Sequence, residues 1–160
     1  MNSTLYSLIG LGAVKYAELS QNRLTDYVFS WDKLLAFEGN TAPYLQNAYV
    51  RIRSIFRRAE EDADISAPIL LDEPAERILG LKLLQYAETV PVVLDDFRPN
   101  ILANYLYELA NTYHSFYEAC PVLKAPTPAI RASRLLLSSL TARTLSHGLS
   151  LLGIRCPEKM

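Results

Sequence analysis

Apolar residues return at helical intervals over most of the chain, and the breaks between these runs fall at prolines, glycines and capping side chains. LYSLIGLGAVKYAELSQNR predicts a first helix, with Gly10 and Gly12 weakening its start. TDYVFSW, Thr25 to Trp31, is aromatic and β-branched and predicts a short extended piece. WDKLLAFE predicts a short helix capped by Ser30, whose hydroxyl can accept a free N–H of the first turn. EGNTAP then breaks the chain, and Thr41 caps a long helix that tolerates Pro43 in its first turn. Asp64 to Asp72 reads as a loop; Asp72 is the expected cap of a helix opened by Pro74, and Pro91 should kink or interrupt that helix near Val90. Pro99 opens ILANYLYELANTYHSFYEAC, which ends before Pro121. Thr127 and Pro128 start a last helix running to Leu152, about 37 Å long at ~1.5 Å per residue. Gly153 is its natural stop. The pattern is that of an all-α bundle of four long helices with shorter ones at the N-terminal end.

Phase within two of these helices is informative. In the helix after Thr41, residues Tyr44, Ala48, Ile52 and Ile55 form one stripe, and Tyr49, Arg53 and Phe56 form a neighbouring one. The same helix carries Arg51, Arg53, Arg57 and Arg58, more cationic groups than core packing requires. In the helix after Pro99, Leu102, Leu106, Leu109, Tyr113 and Phe116 make the apolar stripe, with Tyr105 beside it, so these three rings read as core. Tyr107, His114 and Tyr117 share the opposite face.

Composition narrows the class. The chain has 160 residues, half of them hydrophobic and 21% charged, which fits one domain with its own core rather than a disordered chain. Cys120 and Cys156 are far apart and form no CxxC, which argues against a zinc site or a disulfide framework and fits a reducing compartment. LLLSSL and VPVVL are too short to span a bilayer, and Met1-Asn2-Ser3 lacks the basic region of a secretion signal, so a cytoplasmic protein is expected. The net charge of −1 by itself predicts no polyanionic partner, and its distribution is more informative. Residues 1–118 carry ten Lys/Arg against sixteen Asp/Glu, whereas residues 119–160 carry six Lys/Arg and only Glu158. The basic last helix is either a phosphate-facing surface or a solvated helix balancing an acidic neighbour.

Catalytic signatures are missing. GxxxxGK[ST], GxGxxG and HExxH do not occur. His114 and Glu118 are spaced i,i+4, which reads as a surface hydrogen bond, and His147 reads as solvated or at the core edge. Asp95 and Asp96 read as helix-end residues rather than an acid/base pair. Rings interleaved with guanidinium groups are what unpaired RNA requires: bases stack on ring faces, at ~1–3 kcal/mol per base, and cations follow the phosphates.

The run SWDKLLAFEGNTAPYLQNAYVRIRSIFRR resembles the entry to the C-terminal domain of bacterial class I arginyl-tRNA synthetases, whose pattern is W-D-x-x-L-x-F-E-G-N-T-A-P-Y-x-Q-Y-A-x-x-R. GAVKYAELSQNRLTDYVF, NYLYELANTYHSFYEACPVL and TLSHGLSLLGIRCPEKM resemble the flanking segments of the same proteins, so the likeness covers about residues 9–160. It implies a DALR-type helical anticodon-binding domain over residues 31–160 and a connection to a catalytic domain over residues 1–30. The expected partners are the tRNA(Arg) anticodon stem-loop and the protein's own catalytic domain, in a monomer. The family ligates arginine to tRNA using ATP and magnesium in a Rossmann domain whose signatures this sequence lacks. A C-terminal piece that holds no cofactor and catalyses nothing alone is therefore expected.

Carried over by position, the resemblance places Tyr44, Gln46 and Arg51 near the anticodon loop. It places Tyr105, Tyr113 and Phe116 on a helix whose aromatics approach the loop bases, and Met160 beside the pocket. The residue pattern adds Tyr49, Arg53, Tyr107, His114 and Tyr117. Asn47 stands where the family pattern has its second tyrosine, and an amide cannot stack as a ring does. The two readings of the Pro99 helix disagree on which face meets RNA. A rival function is a helical protein-interaction module, whose exposed rings would cover a partner helix.

Overall fold

A computed structural model describes residues 3–28 and 30–160, with side chains from residue 5. The expectations resting on Met1, Asn2 and Phe29 lie outside the described residues. Among the described residues seven helices follow one another: α1 (Ser3–Leu19), α2 (Trp31–Leu34), α3 (Ala42–Ala59), α4 (Pro74–Leu84), α5 (Tyr86–Asp96), α6 (Pro99–Ala119) and α7 (Pro128–Leu151). Among the described residues there is no strand; Thr25–Val28 form no regular structure, and Trp31 opens a helix instead of ending an extended run. Too few alternating positions and no partner edge stand nearby to hold those residues in a sheet.

The caps act as the side-chain chemistry dictates. Ser30 and Thr41 accept from Lys33 N and Tyr44 N, and Thr127 accepts from Ile130 N at 3.2 Å. Gly153 ends α7 at a φ of 69°, a backbone state that glycine adopts without a Cβ penalty. Two starts and breaks differ from expectation. Glu73, not Asp72, is the N-cap of α4, because its side chain and that of Glu76 close a reciprocal capping box. The interruption assigned to Val90 falls at Gln85, between α4 and α5, and Pro91 lies inside α5. The Pro91 ring crowds the carbonyl of Ala87, four residues earlier and inside α5, whereas at the break itself the Gln85 carbonyl accepts from both Glu88 N and Thr89 N.

α6 runs through the centre, with Leu106, Leu109 and Phe116 fully buried, and touches α1, α3, α4, α5 and α7. α3 lies across the side of α6 and α7, seated by Leu45, Ile52 and Ile55. Each of those side chains contributes roughly 1.5–3 kcal/mol by leaving water. α1 is fastened to this assembly at Gly12 and Tyr16. An added Cβ at Gly12 would stand 3.0 Å from Gln46 Nε2, so the glycine that weakens the helix permits its close approach to α3. The Tyr16 hydroxyl lies 2.6 Å from Asn40 Oδ1 and 2.9 Å from the Ala103 carbonyl.

α7 crosses α6 where Gly148 faces Leu106, and a Cβ there would stand 2.5 Å from Leu106 Cδ2. In an open helix, Gly→Ala gains roughly 1 kcal/mol. Here Leu106 is fully buried and has nowhere to move, so overpacking wins. Gly148→Ala should lower stability by roughly 1–3 kcal/mol, read as a lower urea midpoint at unchanged slope. A raised midpoint would mean that the crossing relaxes freely.

Candidate nucleic-acid interface

α3 forms a ridge with a hollow on each flank, because its two polar stripes lie on either side of the buried one. Tyr44, Ala48 and Arg51, at i, i+4 and i+7, wall a hollow of about 380 Å³ closed by Asn47 and by Tyr113, His114 and Tyr117 of α6. Tyr49, Arg53 and Phe56 repeat that spacing on the other flank and wall a hollow of about 620 Å³ against α7, with Tyr86, Arg143 and His147 opposite.

The α3–α6 hollow is lined by rings with fixed orientation. Tyr44 donates from its hydroxyl to Asn111 Oδ1 at 2.7 Å and meets Tyr107 edge-on at 5.7 Å. Tyr117 stacks on Tyr113 at 6.4 Å and is half-buried. His114 is exposed and lies 3.3 Å from Glu118, the expected i,i+4 pair. Arg51 is exposed and forms no ion pair among the described residues. Burial, then the neighbouring Tyr107, pushes the Tyr44 hydroxyl above the ordinary phenol range, while Arg51 pulls it down. It therefore stays a hydrogen-bond donor at neutral pH.

Four of the expected contact residues point inward. Phe116 is 0% exposed, Tyr113 3% and Tyr105 5%; Tyr105 donates to the Lys82 carbonyl at 2.7 Å and Tyr113 to Ser138 Oγ at 3.1 Å. They lie on or beside the apolar stripe of α6, and the core takes their ring faces; Tyr113 reaches the α3–α6 hollow as part of its floor, and Tyr105 borders a separate hollow beside Lys82 and Glu108. Gln46 is also fully buried and donates from Nε2 to the Arg155 carbonyl at 2.8 Å, so it fastens the chain's end rather than offering an amide outward.

That end folds back along α3. Glu158 accepts from the Tyr49 hydroxyl at 3.1 Å and from Arg53 Nε at 3.3 Å, and its carbonyl accepts from Arg57 at 3.0 Å. Met160, two residues on, is exposed at the same end of the molecule. Burial pushes the nearby Cys156 thiol up to about 12, so it stays protonated and inert.

The expected phosphate-facing surface on α7 is largely used internally. Arg134 is buried and paired with Glu76, Nε to Oε1 at 2.7 Å, and donates to the Pro121 carbonyl at 3.0 Å. Arg131 pairs with Glu61. An α4 capping carboxylate that is buried needs a cation, and α7 supplies it. Of the three α7 arginines only Arg143 faces outward. Its neighbours in the larger hollow escaped the sequence reading, although Ser139, Arg143 and His147 recur every four residues. Tyr86 carried no such signal, because the break at Gln85 that turns it toward α7 was expected elsewhere. Among the described residues no group of His, Cys, Asp or Glu could hold a metal ion, and no helix is long and apolar enough to cross a membrane.

Comparison with known proteins adds a family. Residues 45–160 match the family described as the DALR anticodon binding domain, and residues 2–31 match the family of tRNA synthetases class I (R), catalytic domain. The chain is 57% identical over 158 residues to an arginine–tRNA ligase of Pseudoalteromonas atlantica, covering 98% of this chain and 27% of that protein. It is 57% identical over 159 residues to an arginine–tRNA ligase of Haemophilus ducreyi, covering 99% and 28%. The chain thus spans little more than a quarter of the length of these relatives. Among solved structures it resembles the arginyl-tRNA synthetase of Plasmodium falciparum, with a TM-score of 0.87 at 34% identity over 98% of this chain and 28% of that one. The Thermus thermophilus arginyl-tRNA synthetase matches with a TM-score of 0.87 at 37% identity, over 96% and 27%.

Burial raises the hydroxyls of Tyr16, Tyr105 and Tyr113 well above the ordinary phenol value, with smaller contributions from neighbouring phenols. The stability they draw from staying neutral is fully present below ~10, the unfolded phenol value, and is lost as pH rises through their folded values. In a native-state absorbance titration, these three of the ten tyrosines should ionise only when alkali unfolds the chain. All ten ionising around pH ~10 in folded protein would contradict the inward placement.

Proposed function

The chain belongs to the DALR anticodon binding domain family, and from that membership we propose that it holds the anticodon stem-loop of tRNA(Arg). The observation that carries the reading is the α3–α6 hollow, where outward rings stand beside an unpaired guanidinium. Unpaired bases stack on Tyr44, Tyr107, His114 and Tyr117, and Arg51 takes a phosphate. Tyr49 and Arg53 extend the contact across the ridge, and Met160 closes it at the chain's end. Tyr105, Tyr113, Phe116 and Gln46 act through the packing that sets these groups rather than by touching RNA.

Residues 31–160 carry the binding and residues 1–30 the connection to a catalytic domain, a division supported by the two matched families. Ligation of arginine to tRNA, with ATP and magnesium, is the activity of the longer protein, in which this domain presents the far end of the tRNA. The work is that of a cytoplasmic, monomeric enzyme of protein synthesis. The stretch from Pro74 to Phe97 favours a second reading for its own surface. Ile78, Leu81, Leu84, Leu94 and Phe97 stand exposed there and suit a protein contact.

Arg51→Ala should weaken binding of tRNA(Arg) and flatten the dependence of log affinity on log salt by about one unit. Tyr117→Ala should cost ~1–3 kcal/mol of affinity if its ring stacks on a base. Affinity untouched by both Arg51→Ala and Arg53→Ala would remove the phosphate assignment. Binding indifferent to salt would favour the protein-contact reading.

A further inference from the structure

The α3–α7 hollow has the parts of a second RNA subsite. Arg143 is exposed on α7 and has no ion-pair partner among the described residues. Four residues on, the exposed ring of His147 packs edge-on against Tyr86 at 5.8 Å, and Tyr86 in turn lies against Tyr105 at 5.6 Å. The Tyr86 hydroxyl and His147 Nδ1 are 2.6 Å apart. With the phenol as donor, Nδ1 accepts, and the ring proton sits on Nε2, which is left to donate elsewhere. The opposite wall, on α3, carries Tyr49 and Arg53.

Two of the residues lining this hollow, Tyr49 and Arg53, already hold an anionic group. The Glu158 carboxylate accepts from the Tyr49 hydroxyl and from Arg53, and the backbone at Glu158 accepts from Arg57. A carboxylate and a phosphate oxygen make the same demand on a guanidinium and a phenol. The Arg53–Glu158 pair is solvent-exposed, with side chains 40% and 65% accessible, so water screens it and a stronger anion can displace it.

We propose that the α3–α7 hollow receives a backbone phosphate and its adjoining base from the same RNA, between Arg53 and Arg143, with His147 and Tyr86 as ring wall, and that Glu158 occupies its cationic end when RNA is absent. The inference rests on the RNA-binding reading above and extends it to residues on α7. Arg51 serves the α3–α6 hollow and Arg143 this one, which separates the two claims.

The test is equilibrium binding of a tRNA(Arg) transcript to the 160-residue chain across a salt series. Arg143 and His147 are surface residues, and thermal melts check that their variants stay folded. Arg143→Ala should lower affinity about ten-fold. It should also flatten the salt slope by roughly 0.7–0.9. His147→Ala should weaken binding with little change in slope. Glu158→Gln should tighten binding, a gain that a merely structural contact would not produce. Unchanged affinity and slope in Arg143→Ala, or no tightening in Glu158→Gln, overturns this proposal while an effect of Arg51→Ala keeps the first. Absence of any binding by the unaltered chain overturns both.

Discussion

The seating of α3 on α6 and α7 is the constraint from which the rest of the molecule follows. Leu45, Ile52 and Ile55 are withdrawn from water along one stripe. Their combined burial, at roughly 1.5–3 kcal/mol each, far exceeds any surface ion pair of ~0.2–1 kcal/mol. The buried stripe therefore decides the rotation of the helix, and the polar residues take whatever face is left. That remainder is two flanks of like spacing, Tyr44/Ala48/Arg51 and Tyr49/Arg53/Phe56, each facing a different neighbour helix. Because α6 and α7 approach closely at Gly148 and Leu106, the two hollows keep a fixed separation.

Charge is placed by the same logic. The excess of basic residues after residue 119 looks, in composition, like one polyanion-facing surface. On α7 itself, two of the three arginines are not free. Glu76 closes the first turn of α4 and is buried, so Arg134 must accompany it; losing either partner of such a pair typically costs ~3–5 kcal/mol. Arg131 holds Glu61 of the segment after α3. Lys124, Arg143, Arg155 and Lys159 stay exposed with no ion pair among the described residues, and of these Arg143 lines a ring-walled hollow, as Arg51 and Arg53 of α3 do.

Helix starts, stops and buried stripes were legible in the sequence, because each rests on local chemistry: Thr41 and Thr127 as caps, Gly153 as stop, the Leu102 to Phe116 stripe as core. The outward face of α6 was legible for the same reason, and the hollow contains His114 and Tyr117. What was not legible depends on contacts between segments distant in sequence. Gln46 looks like an available amide until the chain's end folds over it, and its partner is the carbonyl of Arg155. Arg134 looks solvated until α4 is placed beside it. Tyr86 and His147 meet only because the chain breaks at Gln85 rather than at Val90. The resemblance to a known family placed Tyr105, Tyr113 and Phe116 toward the ligand, whereas helical phase placed them in the core, and burial sides with phase.

Chemical-shift mapping of the backbone amides during titration with the tRNA(Arg) anticodon stem-loop tests the central claim most directly. The account requires the largest changes along α3 from Tyr44 to Arg57, on the Tyr107–Tyr117 face of α6, and around Arg143 on α7. Changes confined to α4 and α5, or an unaltered spectrum, would show that the α3 ridge is not where RNA rests.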